Sequence, residues 1–94
     1  MHEERRPDDA QRGLPLGLAR LGFRGRVKSI EVGEGTHGLT AIELELRLLE
    51  LGFVEGATVE VLHEGPLGRD PIAVRLINAT IALRRREAMA VYVT

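Results

Sequence analysis

The sequence predicts a mainly β domain, in which five short strands form a small, strongly bent antiparallel barrel with one α-helix inserted after the first strand. Several short segments alternate apolar and polar residues, and turn residues separate these segments at close spacing. One leucine-rich segment, residues 40–51, instead has the periodicity of a helix. The chain has 94 residues and 44% hydrophobic content, which is enough for one domain with a small core.

Local signals define both ends of the predicted helix. Thr40 and Glu43 have the spacing of a capping box, in which the threonine hydroxyl and the glutamate carboxylate accept hydrogen bonds from each other's backbone amides. Good helix formers follow as far as Gly52, the residue type that best adopts the left-handed conformation at a helix end. Phe53 then stands where an apolar contact closes the last turn. We therefore expect the helix to end at Gly52.

The predicted helix has two apolar stripes. They are Leu44, Leu48 and Leu51 on one side, and Ile42, Leu46 and Leu49 on nearly the opposite side. One stripe can pack on the domain, whereas the second needs a cover or a partner. With Leu39, a bare second stripe would form an apolar patch typical of contact surfaces. The alternative is that residues 14–18 fold over it.

The five predicted strands are bounded by turns and loops. We expect them at residues 27–32, 58–63, 72–77, 80–83 and 90–93. In the first strand, Ile30 and Val32 are the expected inward side. Asn78 and Ala79 suit a tight hairpin, and residues 84–89 suit one 3₁₀ turn. Residues 33–39 and 65–71 are rich in glycine or proline and are expected to be loops, whereas residues 13–18 are expected to be a connector.

Composition excludes several classes of protein. A net charge of −1 provides no broad positive field for nucleic acid or an anionic membrane, and the absence of cysteine excludes disulfides and thiolate metal sites. No apolar segment approaches the length of a membrane span, and no secretory signal is present. We expect a cytoplasmic protein, with residues 1–13 as a disordered charged tail and residues 14–94 as the domain.

An ordered set of residues resembles the ferrous-iron transport protein A (FeoA) family. Its most specific part is RLLELGFVEGATVEV, residues 47–61. The C-terminal half adds Gly65, Pro66, Leu67, Gly68, Asp70, Pro71, Ile72, residues 81–84, Glu87, Ala88 and residues 91–93. The opening matches more loosely, at Leu18, Leu21, Gly22, Gly25, Arg26, Val27 and Ile30. The similarity covers about residues 15–94.

This resemblance implies an SH3-like barrel and a small, non-enzymatic cytosolic accessory of bacterial ferrous-iron uptake. Its implied partner is the membrane iron transporter that carries a GTP-binding domain, and self-association is a further option. Relatives fused to iron-responsive DNA-binding repressors imply an alternative, a metal-sensing or DNA-linked regulatory module. No helix-turn-helix precedes the domain here, so we expect a standalone form. Leu46 and the long 33–39 segment depart from the family pattern.

Other candidate sites are weaker. His37, His63 and Glu64 are too scattered to predict a metal site, so we expect no required cofactor. Weak binding of a divalent metal such as iron stays an open option, although ligand spacing does not support it. Nor do we expect nucleic-acid binding or membrane insertion, given the net charge and the lack of a long apolar segment. We expect no catalysis, because no nucleophile, base and orienting group occur together.

Three consecutive arginines, Arg84, Arg85 and Arg86, could bind phosphate or an acidic face of a partner. The alternative is a solvent-facing turn with one arginine paired to a local carboxylate. The predicted partner-binding residues are therefore these arginines together with Leu39, Ile42, Leu46 and Leu49.

Overall fold

Six antiparallel strands and one long helix make up the structure, a computed structural model that describes residues 13–33 and 40–94. The elements are β1 (Leu14–Pro15), a 3₁₀ turn (Leu16–Leu18), β2 (Arg24–Ile30), α1 (Ala41–Leu51), β3 (Thr58–Glu64), β4 (Ile72–Arg75), β5 (Thr80–Leu83), α2 (Arg85–Ala88) and β6 (Val91–Val93). The strand order is β1-β6-β2-β3-β4-β5. Of the predicted disordered tail, only Gly13 is described. His37 and Leu39 also lie outside the described residues.

The predicted mainly β class is confirmed, with all five expected strands and the helix inserted after the first of them. A sixth strand, β1, was not predicted, because two residues are too few to show an alternating pattern. Leu14 pairs with Val93 and Pro15 with Tyr92, so the segment expected to be a connector forms the edge of the sheet.

The core lies between the inner face of the sheet and one side of helix α1. Leu44 and Leu48 are buried, and Leu51 is half-buried against the same cluster. Phe53 is fully buried just after the helix, as its predicted closing role requires. The sheet contributes mostly valine and isoleucine, which suit a pleated, buried surface. One stripe of the helix therefore packs on the domain, as predicted.

Three predicted details need correction. Strand β2 contains a bulge between Val27 and Ser29, so Val27 also faces the core and is buried, whereas Ile30 and Val32 pack against the core on the predicted inward side but are only partly buried. Strand β4 ends at Arg75 rather than at residue 77, and Ile77 is 78% exposed. The turn after β5 is α-helical rather than 3₁₀, with Met89 N bonded to Arg85 O.

Candidate functional site

Helix α1 is fixed at both ends by the predicted capping chemistry. Thr40 Oγ1 accepts from Glu43 N at 3.1 Å, and Glu43 Oε1 accepts from Thr40 N at 3.0 Å. Hydrogen bonding of the Glu43 carboxylate to Thr40, first to its amide and then to its side chain, lowers the pKa of Glu43. At the other end, Gly52 has φ 111° and its N–H donates to Leu48 O and Leu49 O. The helix therefore presents its side chains in defined positions.

The second stripe of helix α1 is exposed. Ile42 is 71% exposed, Leu46 54% and Leu49 40%. The segment that could have covered them, residues 14–18, instead pairs with β6 and packs against α2. Within the described residues, these three side chains thus form an uncovered apolar surface, which we call the helix surface. The predicted member Leu39 lies outside the described residues.

An ion pair joins helix α1 to helix α2. Arg47 Nη1 donates to Glu87 Oε2 at 2.9 Å. The other carboxylate oxygen of Glu87 accepts from Arg84 N at 3.3 Å, at the start of α2. One glutamate thus caps α2 and holds the arginine of α1. The sequence did not reveal this contact, because its partners stand 40 residues apart.

The three consecutive arginines have different surroundings. Arg85 donates from Nη2 to Glu64 Oε2 at 2.7 Å, and its Nε and Nη1 donate to backbone carbonyls. Arg84 and Arg86 are exposed, and their guanidinium groups make no ion pair with other described residues. The partner role predicted for the three remains untested, but only Arg84 and Arg86 have side chains free to contact a partner.

The described residues contain no group of three potential metal ligands. His63 is exposed, Glu64 is paired with Arg85, and His37 lies outside the described part. No helix in the described part is long and apolar enough to cross a membrane. The geometry thus offers contact surfaces and no site of convergent reactive groups among the residues described.

Comparison with known proteins identifies the family. Residues 14–94 match the FeoA domain, which is most of the chain. The chain belongs to the FeoA family. FeoA is a small accessory domain, not an enzyme, and the family is linked to ferrous-iron transport.

Solved structures confirm that the fold is SH3-like. The zinc complex of Stenotrophomonas maltophilia FeoA, an SH3 domain protein, is 32% identical, with a TM-score of 0.67 over 84% of this chain and 87% of that one. A manganese-dependent transcriptional repressor is 20% identical, with a TM-score of 0.66 over 85% of this chain and 40% of that one. At this identity, the repressor shows the fold alone.

A curated relative combines two proteins in one polypeptide. It is an Fe(2+) transport protein A/Fe(2+) transporter FeoB fusion protein of Porphyromonas gingivalis, 43% identical over 47 residues. The match spans 50% of this chain but only 6% of the fusion protein. In that protein, a FeoA segment is thus covalently joined to the transporter.

Proposed function

We propose that this FeoA domain is a cytoplasmic accessory of ferrous-iron uptake that binds the cytosolic, GTP-binding part of the membrane iron transporter. The fusion relative carries this proposal, because a covalent link keeps two proteins at high effective concentration and is useful when they act together. Binding that favours one conformation of the transporter would shift its population of states. No chemistry by the FeoA domain is needed for such an effect.

The helix surface is the proposed contact. Ile42, Leu46 and Leu49 project from a capped helix, so little conformational entropy is lost when a partner covers them. Such a stripe is typical of helix-in-groove binding, in which the apolar face of a helix packs into a groove of the partner. Arg84 and Arg86 are exposed cations that could add polar contacts at the rim.

The size of the helix surface indicates weak, transient binding. Complete burial of a leucine or isoleucine stabilises by about 1.5–3 kcal/mol, and these side chains are already partly covered. Three of them therefore contribute roughly 3–4 kcal/mol, which association entropy largely offsets. Contact of this strength responds readily to concentration, which suits an accessory that acts reversibly and explains why fusion would be advantageous.

The test is binding of the full chain to the isolated GTP-binding domain of its own host's transporter. We expect Leu46→Glu to weaken binding at least about tenfold, because burial of a carboxylate in an apolar contact is unfavourable. The matched control is Leu67→Glu, the same change at a side chain that is 84% exposed in the 65–71 loop. The control should bind like the wild type, and both variants should keep the wild-type melting temperature.

Other outcomes would contradict the proposal. Unchanged binding by Leu46→Glu would exclude the helix surface, and an unfolded Leu46→Glu variant would assign this leucine to the core. Concentration-dependent dimers that Leu46→Glu abolishes, without transporter binding, would assign the helix surface to self-association. Stoichiometric metal binding or salt-dependent DNA binding would favour the alternative, a regulatory module.

A further inference from the structure

A second surface lies on the outer face of strands β2, β3 and β4. The register places Arg24 opposite Glu60, and Glu60 opposite Arg75, so these three side chains form one row across the sheet. Arg26 stands two residues from Arg24 and opposite Thr58, on the same outer face. These residues line an open groove of about 500 Å³, which we call the arginine groove.

The arginine groove has more positive than negative charge. The described residues that line it contribute three guanidinium groups and one carboxylate, that of Glu60. The Arg24 Nε to Glu60 Oε2 distance is 3.7 Å, and the arginine side chain is 78% exposed, so this pair is weak. Arg26 and Arg75 form no ion pair with other described residues. Since the whole chain has a net charge of −1, the cluster does not follow from a generally basic composition.

We infer that the arginine groove binds an extended, acidic segment of a protein partner. Arg24 and Arg26 lie on one strand with a spacing of roughly 6.6 Å, which is also the spacing of alternate residues in any extended chain. Two carboxylates at alternate positions can therefore each meet a guanidinium, the group whose planar donors match a carboxylate. Arg75 provides a cation on the opposite wall, two strands and roughly 10 Å away.

The rim of the groove adds an apolar contact. Ile77 follows the end of β4, lines the groove and is 78% exposed. An isoleucine so exposed recovers hydrophobic free energy when an apolar side chain covers it. The expected ligand is therefore a segment with acidic residues at alternate positions, which face the arginines together, followed by an apolar residue that reaches Ile77.

Charge favours a protein ligand over nucleic acid. Nucleic-acid binding gains affinity by neutralising many phosphates, which requires an extended basic stripe. The arginine groove has an excess of two positive charges, and the carboxylate of Glu60 lies between its cations. Two carboxylates balance this excess, whereas a continuous row of phosphates would bring further negative charge against Glu60.

The arginine groove shares no residue with the helix surface. A titration with an acidic peptide tests whether the groove binds its expected ligand. The full chain, labelled with ¹⁵N, is titrated with acetyl-Glu-Val-Glu-Val-Glu-amide at low salt. The amides of Arg24, Arg26, Glu60 and Arg75 should shift, and raising the salt should weaken binding several-fold, because screening acts on exposed charges. Acetyl-Gln-Val-Gln-Val-Gln-amide should cause no such shifts.

Variants decide which residues bind the peptide. Arg26→Gln with Arg75→Gln should weaken binding at least about tenfold, the effect of losing roughly one charged contact. The matched control, Arg84→Gln with Arg86→Gln, removes the same charge elsewhere and should keep wild-type affinity. Glu60→Gln should bind the peptide more tightly, since it removes the one carboxylate that the described lining residues place in the groove. Dispersed amide spectra establish that each variant is folded.

Several results would overturn the inference. One is that the amides of the groove residues do not shift when the peptide is added. Another is that the control variant loses as much peptide affinity as Arg26→Gln with Arg75→Gln. A third is that Glu60→Gln does not increase the affinity for the peptide. Tighter binding of a ten-nucleotide oligo(dT) than of the acidic peptide would assign the arginine groove to nucleic acid instead.

Discussion

Arg85 Nη2 lies 2.7 Å from Glu64 Oε2, and this contact joins helix α2 to the end of strand β3. The same guanidinium donates from Nη1 to Gly17 O at 3.0 Å and Ala19 O at 2.7 Å, and from Nε to Arg69 O at 2.7 Å. Its side chain is only 20% exposed. One planar group thus connects four segments of the chain, which only an arginine fork can do.

Replacing Arg85 by lysine should destabilise the domain although it keeps the charge. An ammonium group cannot reach all four acceptors, so carbonyl groups in a partly buried place lose their donors. We expect a loss of about 2 kcal/mol, which lowers the melting temperature by roughly 8–16 °C in a domain of this size. Thermal unfolding of Arg85→Lys and of the exposed control Arg86→Lys measures this. Equal melting temperatures would refute the structural role.

At Gly17 the 3₁₀ turn lies close against helix α2. A Cβ there would clash with Arg85 O and lie 2.7 Å from Met89 Sδ. Gly17→Ala should therefore cost about 1–3 kcal/mol, because the backbone of α2 must move. Gly33→Ala is the control, since a Cβ there meets no atom of the described residues within 4 Å. Urea unfolding midpoints should fall for the first variant only, and a fall of equal size in both would contradict this prediction.

The helix could be predicted from the sequence because the signals that define it are local. Thr40, Glu43 and Gly52 lie within thirteen positions and make in the structure the contacts that their spacing indicates. The alternating strands were predictable for the same reason. The ends of the strands and the side chains that face the core were less predictable, since the bulge after Val27 changes which side chains point inward.

The surfaces depend on contacts between distant residues and were only partly predictable. Helical periodicity identified the stripe that contains Leu46, but whether residues 14–18 cover it is decided by their pairing with β6. Arg85 contacts residues up to 68 positions away, and the arginine groove requires the register of three strands. The residue pattern of a single segment does not show which distant segment it will contact.

The capping box should make the stability of the domain depend on pH. Hydrogen bonds from Thr40 lower the pKa of Glu43 below its ordinary value of 4.5. A carboxyl group whose folded pKa is lowered contributes stability above its unfolded pKa, and this is lost as the pH falls through the folded pKa. The difference in unfolding free energy between wild type and Glu43→Gln should therefore shrink on acidification from neutral pH to well below 4.5. Urea titrations at both pH values measure it, and a constant difference would contradict the assignment.

Leu48 and Leu46 allow the two sides of helix α1 to be compared by the same substitution. Leu48 is fully buried, so Leu48→Ala should leave a cavity and cost about 2–5 kcal/mol. Leu46 is 54% exposed, and Leu46→Ala should change stability by no more than about 0.5 kcal/mol. Both changes occur on one helix between its caps, so helix propensity cancels in the comparison. Chemical denaturation gives both values. Similar losses would mean that Leu46 packs in the core, and the helix surface could then not be the contact with the transporter.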